Sequence, residues 1–290
     1  MLINMLQQVS HLRDMSKDQT SLPFMKRMLL HRNCTTFLFL ILFVIDIAIR
    51  MYALYFQDNL SNDSIDYLEF NKDYSDSKNL QTILFEQNII SHPPLIYMMM
   101  YTLNHMGVKD VELGMRIIIF LFGVFLPVIL FAIVCVYTNN REIALYTLAV
   151  SAVHPFFVRM SCEILRDPLF MFFSSLFILE LCLIKEPGTL KRIGHSVLCG
   201  LFLSLSCLSR FESIDLIFLA PVTMYLLLSK FDGDALISKD TKSRYRLYSS
   251  LFVIIIISSI IFQIVLNSFF GLSFYYYYSI FDYRFNNISS

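Results

Sequence analysis

The stretch Ser91-His92-Pro93-Pro94-Leu95-Ile96-Tyr97 decides how this chain is threaded. Pro93 keeps His92 out of the α region. Pro94 suits the start of a helix, where its missing N–H costs no hydrogen bond. A helix is therefore expected to begin near Pro94, with His92 at its mouth beside the acidic segment 57–91. The apolar run that follows, 95–106, includes Asn104 and His105. It is well short of the ~20 residues that cross a bilayer, so it is read as an interfacial or re-entrant helix.

Beyond that stretch the chain is overwhelmingly apolar. Of its 290 residues 56% are hydrophobic and 16% charged, against about a quarter charged in a soluble domain. Several runs match the ~30 Å of a hydrocarbon core. The fold class expected is all-α, a polytopic membrane protein. Net charge is zero, which gives nucleic acid no electrostatic footprint. Cys34, Cys135, Cys162, Cys182, Cys199 and Cys207 show no paired metal spacing and read as small packing residues. The first 35 residues are polar and basic, and no cleavable signal peptide is recognisable.

Taken in order, residues 1–35 form a cytoplasmic flank with Arg13, Lys17, Lys26, Arg27 and Arg32. A module of spans occupies 36–270, its outward loop running over 57–114, and an outward tail follows at 271–290. The first span, 36–56, holds Asp46 and Arg50, four apart, read as an intrahelical pair near the interface. In the loop, Ile65, Leu68, Leu80, Ile83 and Leu84 recur among carboxylates and predict short helices on the membrane surface. The later spans are expected at 115–137, 142–158, 168–184, 194–209, 213–229 and 248–270, making about seven. With 95–106 outside the bilayer, fourteen Lys and Arg fall on the cytoplasmic side and eight outside. Were 95–106 to cross, the basic loops 185–192 and 230–246 would face outward, against the positive-inside rule. The N-terminus is thus expected in the cytoplasm, and the aromatic Tyr275-Tyr276-Tyr277-Tyr278 outside.

The outward side then gathers the acidic loop with His92, Arg116, Arg159, Glu163, Arg166, Asp167, Arg210 and Glu212. Charges at span ends are costly unless paired or wetted, so their gathering on one side predicts a polar cavity. Such a set suits transfer to an alcohol or amine. A carboxylate takes the nucleophile's proton, and arginines hold a departing phosphate through paired hydrogen bonds. A divalent ion would draw on Asp66, Glu86, His92 or Asp167, but their spacing carries no metal signature.

Five features in order carry a resemblance. These are a span followed by an outward aspartate (Asp66-Tyr67); His92-Pro93-Pro94-Leu95-Ile96-Tyr97; Arg116 opening a span; Ala152-Val153-His154-Pro155-Phe156-Phe157-Val158-Arg159-Met160-Ser161 leading to Arg166-Asp167-Pro168; and the span 200–210 ending at Arg210. Over about residues 36–230 the chain resembles the catalytic module of the GT-C class of integral-membrane glycosyltransferases. The nearest groups are the protein O-mannosyltransferase and aminoarabinose-transferase-like families (glycosyltransferase families 39 and 83).

The resemblance implies an inverting glycosyltransferase. It would move a sugar from a polyprenyl-phosphate carrier to a lipid, glycan or protein acceptor on the outer side of the plasma or inner membrane, or of the endoplasmic reticulum. Asp66 would be the general base and Asp167 the second catalytic aspartate. His92, Arg116, Arg159, Arg166, Arg210 and Glu212 would line the substrate. Two departures stand out: many relatives carry Asp-Glu where this chain has Asp66-Tyr67, with the next acid at Glu69, and relatives are usually much longer. A transporter or flippase-like protein, and a truncated non-catalytic member of the family, are the alternatives.

Overall fold

The computed structural model describes residues 24–56, 61–72, 80–86, 93–184, 188–210, 213, 215–231 and 241–272. Among them there are eleven helices and no strand. These are α1 (Phe24–Phe56), α2 (Asn62–Lys72), α3 (Leu80–Glu86), α4 (Leu95–His105), α5 (Val111–Thr138), α6 (Arg141–Val153), α7 (Pro155–Met160), α8 (Arg166–Leu183), α9 (Thr189–Ser209), α10 (Asp215–Phe231) and α11 (Thr241–Phe269).

Four segments are long and apolar enough to cross a membrane: Cys34–Phe56 of α1, all of α5, all of α9, and Leu247–Phe269 of α11. Large apolar side chains stand exposed along α1 and α11, among them Phe37, Val44, Ile257 and Ile264. Contiguous apolar exposure on that scale is what lipid covers. The chain is an integral membrane protein. The three other expected spans are less regular. The helix α8 carries Arg166, Asp167 and Glu180 within its 18 residues, α10 has 17 residues, and α6 has 13. The expected continuous helix over 142–158 is broken: Pro155 forces His154 into an extended conformation (φ −65°, ψ 121°) between α6 and α7.

The helix expected after the double proline is α4, with Pro94 immediately before its first residue and Met98 N–H donating to the Pro94 carbonyl at 2.9 Å. Its 11 residues rise about 16 Å, roughly half of a hydrocarbon core. At the other end of α5, Asn139 takes the left-handed conformation (φ 54°) that closes a helix, and Asn140 caps α6 by accepting from Glu142 N–H at 2.9 Å.

The bundle is layered in the order α11, α9, α8, α5, α6 and α1, each packed on the next. At one end α2, α3 and α4 fold over the starts of α5 and α8 and the end of α9. Tyr67, Leu84, Ile96, Tyr97, Met115, Ile164, Leu169 and Leu208 form one apolar core there. A second core, including Phe177, Leu181, Cys199, Leu203 and Ile255, lies between α8, α9 and α11.

Two glycines set the closest approaches. A Cβ on Gly123 of α5 would lie 2.1 Å from the Ser161 Cβ, and one on Gly200 of α9 would lie 1.9 Å from the Ser258 Oγ and 2.7 Å from the Ile255 carbonyl. The second contact involves backbone, so it cannot be relieved by a rotamer change. Gly200→Ala is expected to push α9 and α11 apart at a cost of about 1–3 kcal/mol, read as a lower midpoint of thermal unfolding in detergent. An unchanged midpoint would mean that the two helices do not meet at Gly200.

Candidate functional site

The loop 161–165 between α7 and α8 is the hub of the site end. Ser161 Oγ–H donates to the Val158 carbonyl at 2.6 Å. Ser64 of α2, fully buried, donates to the Ile164 carbonyl at 3.2 Å. That bond docks α2 onto the start of α8. From below, α1 holds the same region. Arg50 Nε–H donates to Asp46 Oδ1 at 2.8 Å, both side chains fully buried, and Arg50 Nη1 donates to the Phe157 carbonyl at 2.7 Å. The pair is intrahelical, as its spacing predicts, but it is no interface pair. It lies inside the protein and clamps α1 to α7. Among the described residues Asp46 Oδ2 and Arg50 Nη2 find no hydrogen-bond partner.

The first turn of α8 and the end of α9 meet above this hub. Arg210 is the residue where α9 stops, in extended conformation (φ −149°, ψ 134°). A serine network fixes that terminus: Ser174 and Ser206 hydroxyls are 2.8 Å apart, and Ser213 Oγ–H donates to the Ser206 carbonyl at 2.7 Å. From there Arg210 pairs with Asp167, and both remain partly accessible (30% and 23%). The guanidinium carbon also lies 5.8 Å from the Phe170 ring centre, within cation–π range. Asp167 sits in the first turn of its helix, where the macrodipole favours a carboxylate.

Tyr67 brings α2 to this pair. It is 4% exposed, packs edge-on against Tyr97 with ring centres 5.6 Å apart, and its phenol feels Arg166, Asp63, Asp167 and Arg210. Burial pushes the phenol up to about 12; the Arg166 and Arg210 charges oppose that shift, and the Asp63 and Asp167 carboxylates add to it. The Tyr67 hydroxyl is therefore a proton-bearing group at any physiological pH.

The structure thus gathers three of the expected residues, Arg166, Asp167 and Arg210, around Tyr67. Others lie differently. Arg159 points outward, 74% exposed, and binds the buried Glu163 at 2.9 Å. Arg116 sits one turn inside α5, paired with Glu112 at 2.9 Å, close enough for its charge to reach Cys162. Asp66 is exposed on α2, about 100° round the helix from Tyr67 and farther from Ser64. Asp63, one turn before Tyr67, is exposed too, yet its charge reaches the phenol. His92, Glu212 and the tyrosine run 275–278 lie outside the described residues. Among the described residues no three His, Cys, Asp or Glu side chains are placed to share a metal ion.

By sequence Asp63 reads as one of several solvated loop carboxylates and Tyr67 as an apolar neighbour of Asp66 that anchors the segment at the membrane surface. Their signal was the helical register of Ser64, Tyr67 and Leu68, which defines a buried face that Asp63 flanks.

Comparison with protein families matches residues 91–262 to the dolichyl-phosphate-mannose-protein mannosyltransferase family. No curated protein and no solved structure matches the chain. The match covers more than half of the sequence, including the double proline, the hub loop, the Asp167–Arg210 pair and both apolar cores' central helices. By its sequence, and in keeping with its all-helical membrane architecture, the chain belongs to the dolichyl-phosphate-mannose-protein mannosyltransferase family.

Proposed function

We propose that the protein transfers a sugar from a polyprenyl-phosphate carrier to a hydroxyl acceptor at the end of the bundle where α2, α4 and the hub loop meet, and that this end faces outward. Family membership makes it a mannosyltransferase-like glycosyltransferase. The observation that carries the finer reading is the meeting of Arg166, Asp167, Arg210 and Tyr67 beneath an aspartate-bearing helix. We count α8, α10 and α6–α7 with the four long spans as seven crossings, with the N-terminus in the cytoplasm, because that placement keeps the basic loops on one side.

In this reading the acceptor hydroxyl attacks the anomeric carbon as the bond from that carbon to the phosphate oxygen breaks, with inversion. The proton passes to a carboxylate of α2. Polyprenyl phosphate leaves as an anion, so it needs cations and no acid. Arg210 and Arg166 are the cations nearest the phenol of Tyr67 on this side; Arg116 is the next candidate, and Arg159 and His92 would serve the outer rim. Asp167 holds Arg210 and keeps its fork oriented. Two carboxylates compete for the base. Asp66 is the one the resemblance points to. Asp63, one turn before Tyr67 on the same helix, is the other, because its carboxylate is among the charges that act on the Tyr67 phenol.

The test is direct. Purified protein given a polyprenyl-phosphate-linked mannose and a hydroxyl acceptor should release polyprenyl phosphate. Arg210→Gln and Arg166→Gln should each weaken donor binding about ten- to a hundred-fold, the worth of one charge-assisted hydrogen bond. Normal donor binding by both variants would remove the phosphate from this site.

A further inference from the structure

A cavity lies away from this site, at the far end of α5. It is an open cleft with a volume of about 780 Å³, lined by the lower parts of α1 and α5, the start of α6 and the end of α8. Because α5 begins at the site end and finishes at Thr138, a rise of roughly 40 Å at 1.5 Å per residue, this cavity belongs to the opposite end of the bundle. The basic flank predicts that end to be cytoplasmic.

Its lining is divided. Phe39, Phe131 and Leu145 supply apolar wall, whereas Thr35, Asn139 and Arg141 supply the polar part. The polar residues sit where the apolar segments of α1 and α5 run out, at Cys34 and Thr138. In a membrane protein that is headgroup depth. Arg141 lines the cavity and its charge reaches Cys135, another lining residue. Arg141 is itself exposed, and no carboxylate pairs with it among the described residues. The sequence just before Thr35 adds Lys26, Arg27 and Arg32 to the same end. The site described above uses none of these residues.

We infer that this cavity binds one anionic glycerophospholipid of the cytoplasmic leaflet. Arg141 takes the phosphate, Asn139 and Thr35 contact the headgroup, and Phe39 and Phe131 flank the first part of an acyl chain. The volume lies within the ~300–1,000 Å³ typical of a small-molecule site, enough for a headgroup and the upper chain. A guanidinium at headgroup depth, with no ion pair among the described residues, suits a phosphate, to which it can donate two parallel hydrogen bonds. The inference stands whether or not the sugar-transfer reading holds.

The full chain, purified in detergent, is the material for the test. Native mass spectrometry should show one retained phosphatidylglycerol, and adding that lipid should raise the thermal midpoint. Phosphatidylcholine and millimolar inorganic phosphate should do neither. Arg141→Gln should cut phosphatidylglycerol retention at least about tenfold, the worth of a charged hydrogen bond, and Arg141→Lys should restore part of it. Lys109→Gln, which removes one exposed charge from the other end, should leave retention unchanged. Equal retention of both lipids, displacement by inorganic phosphate alone, or normal retention in Arg141→Gln would each overturn the proposal. So would tighter retention after deletion of residues 1–23, since the occupant would then be the chain's own N-terminus.

Discussion

Replacing one α2 aspartate by asparagine should lower sugar transfer by about a hundred- to ten-thousand-fold, the usual worth of a positioned general base. Asparagine keeps the shape of the side chain and cannot accept the proton, so folding and donor binding should survive. The two candidates separate cleanly. Asp63 lies one turn before Tyr67, and its charge acts on the same phenol as Asp167, Arg166 and Arg210. Asp66 is exposed on a different side of the helix. The larger loss is therefore expected in Asp63→Asn, with Asp66→Asn as the paired measurement. A loss confined to Asp66→Asn would return the base to the residue singled out by family resemblance and would place the acceptor on the exposed side of α2. If neither change reduces transfer, the base is neither aspartate of α2, and Asp167 and Glu69 are the next residues to replace. The readout is the rate at saturating donor, with donor affinity measured separately, so that lost binding is not mistaken for lost chemistry.

The second large effect should come from a residue remote from the acceptor. Arg50→Met would leave Asp46 fully buried with no counter-charge, since the two groups are paired at 2.8 Å with no exposure. Breaking a buried pair from one side costs about 3–5 kcal/mol, because the remaining charge stays desolvated. The variant should show a strongly depressed thermal midpoint or fail to accumulate. Removing both charges, in Asp46→Leu with Arg50→Met, should recover most of that stability, as apolar replacements of buried pairs often do. The double variant still lacks the bond from Arg50 Nη1 to the Phe157 carbonyl. It should therefore fold yet transfer sugar more slowly, because α7 and the hub loop behind it would be less firmly held. A double variant as unstable as the single one would show that the Phe157 bond, and not the charge pairing, holds α1 in place.

These two experiments probe different links of one chain of contacts. Arg50 holds Phe157; Phe157 precedes Ser161, which Gly123 allows to approach α5; Ile164 receives Ser64 of α2; and Arg166 and Asp167 follow at once. A change at Arg50 can thus be felt at the site without touching it.

The sequence by itself determined the class of protein and the thread of its chain. Apolar runs of bilayer length must be helices in lipid, since no other open structure satisfies the backbone there. The double proline located the start of α4, and the brevity of the run after it kept it from being read as a span. The positions of Arg166, Asp167 and Arg210 at helix ends were legible because charge is expensive anywhere deeper. Only the tertiary structure decided how these pieces meet. The four-residue spacing of Asp46 and Arg50 is the same whether the pair faces headgroups or protein; burial is set by α7 packing over it. Pro155 breaks the helix at His154, where apolarity alone predicted a continuous span. The choice between Asp63 and Asp66 likewise depends on which side of α2 faces the bundle. The helical register of Ser64, Tyr67 and Leu68 marks that face, but what it packs on is decided by distant partners, the core around Tyr97 and the Ile164 carbonyl that Ser64 reaches across a hundred positions.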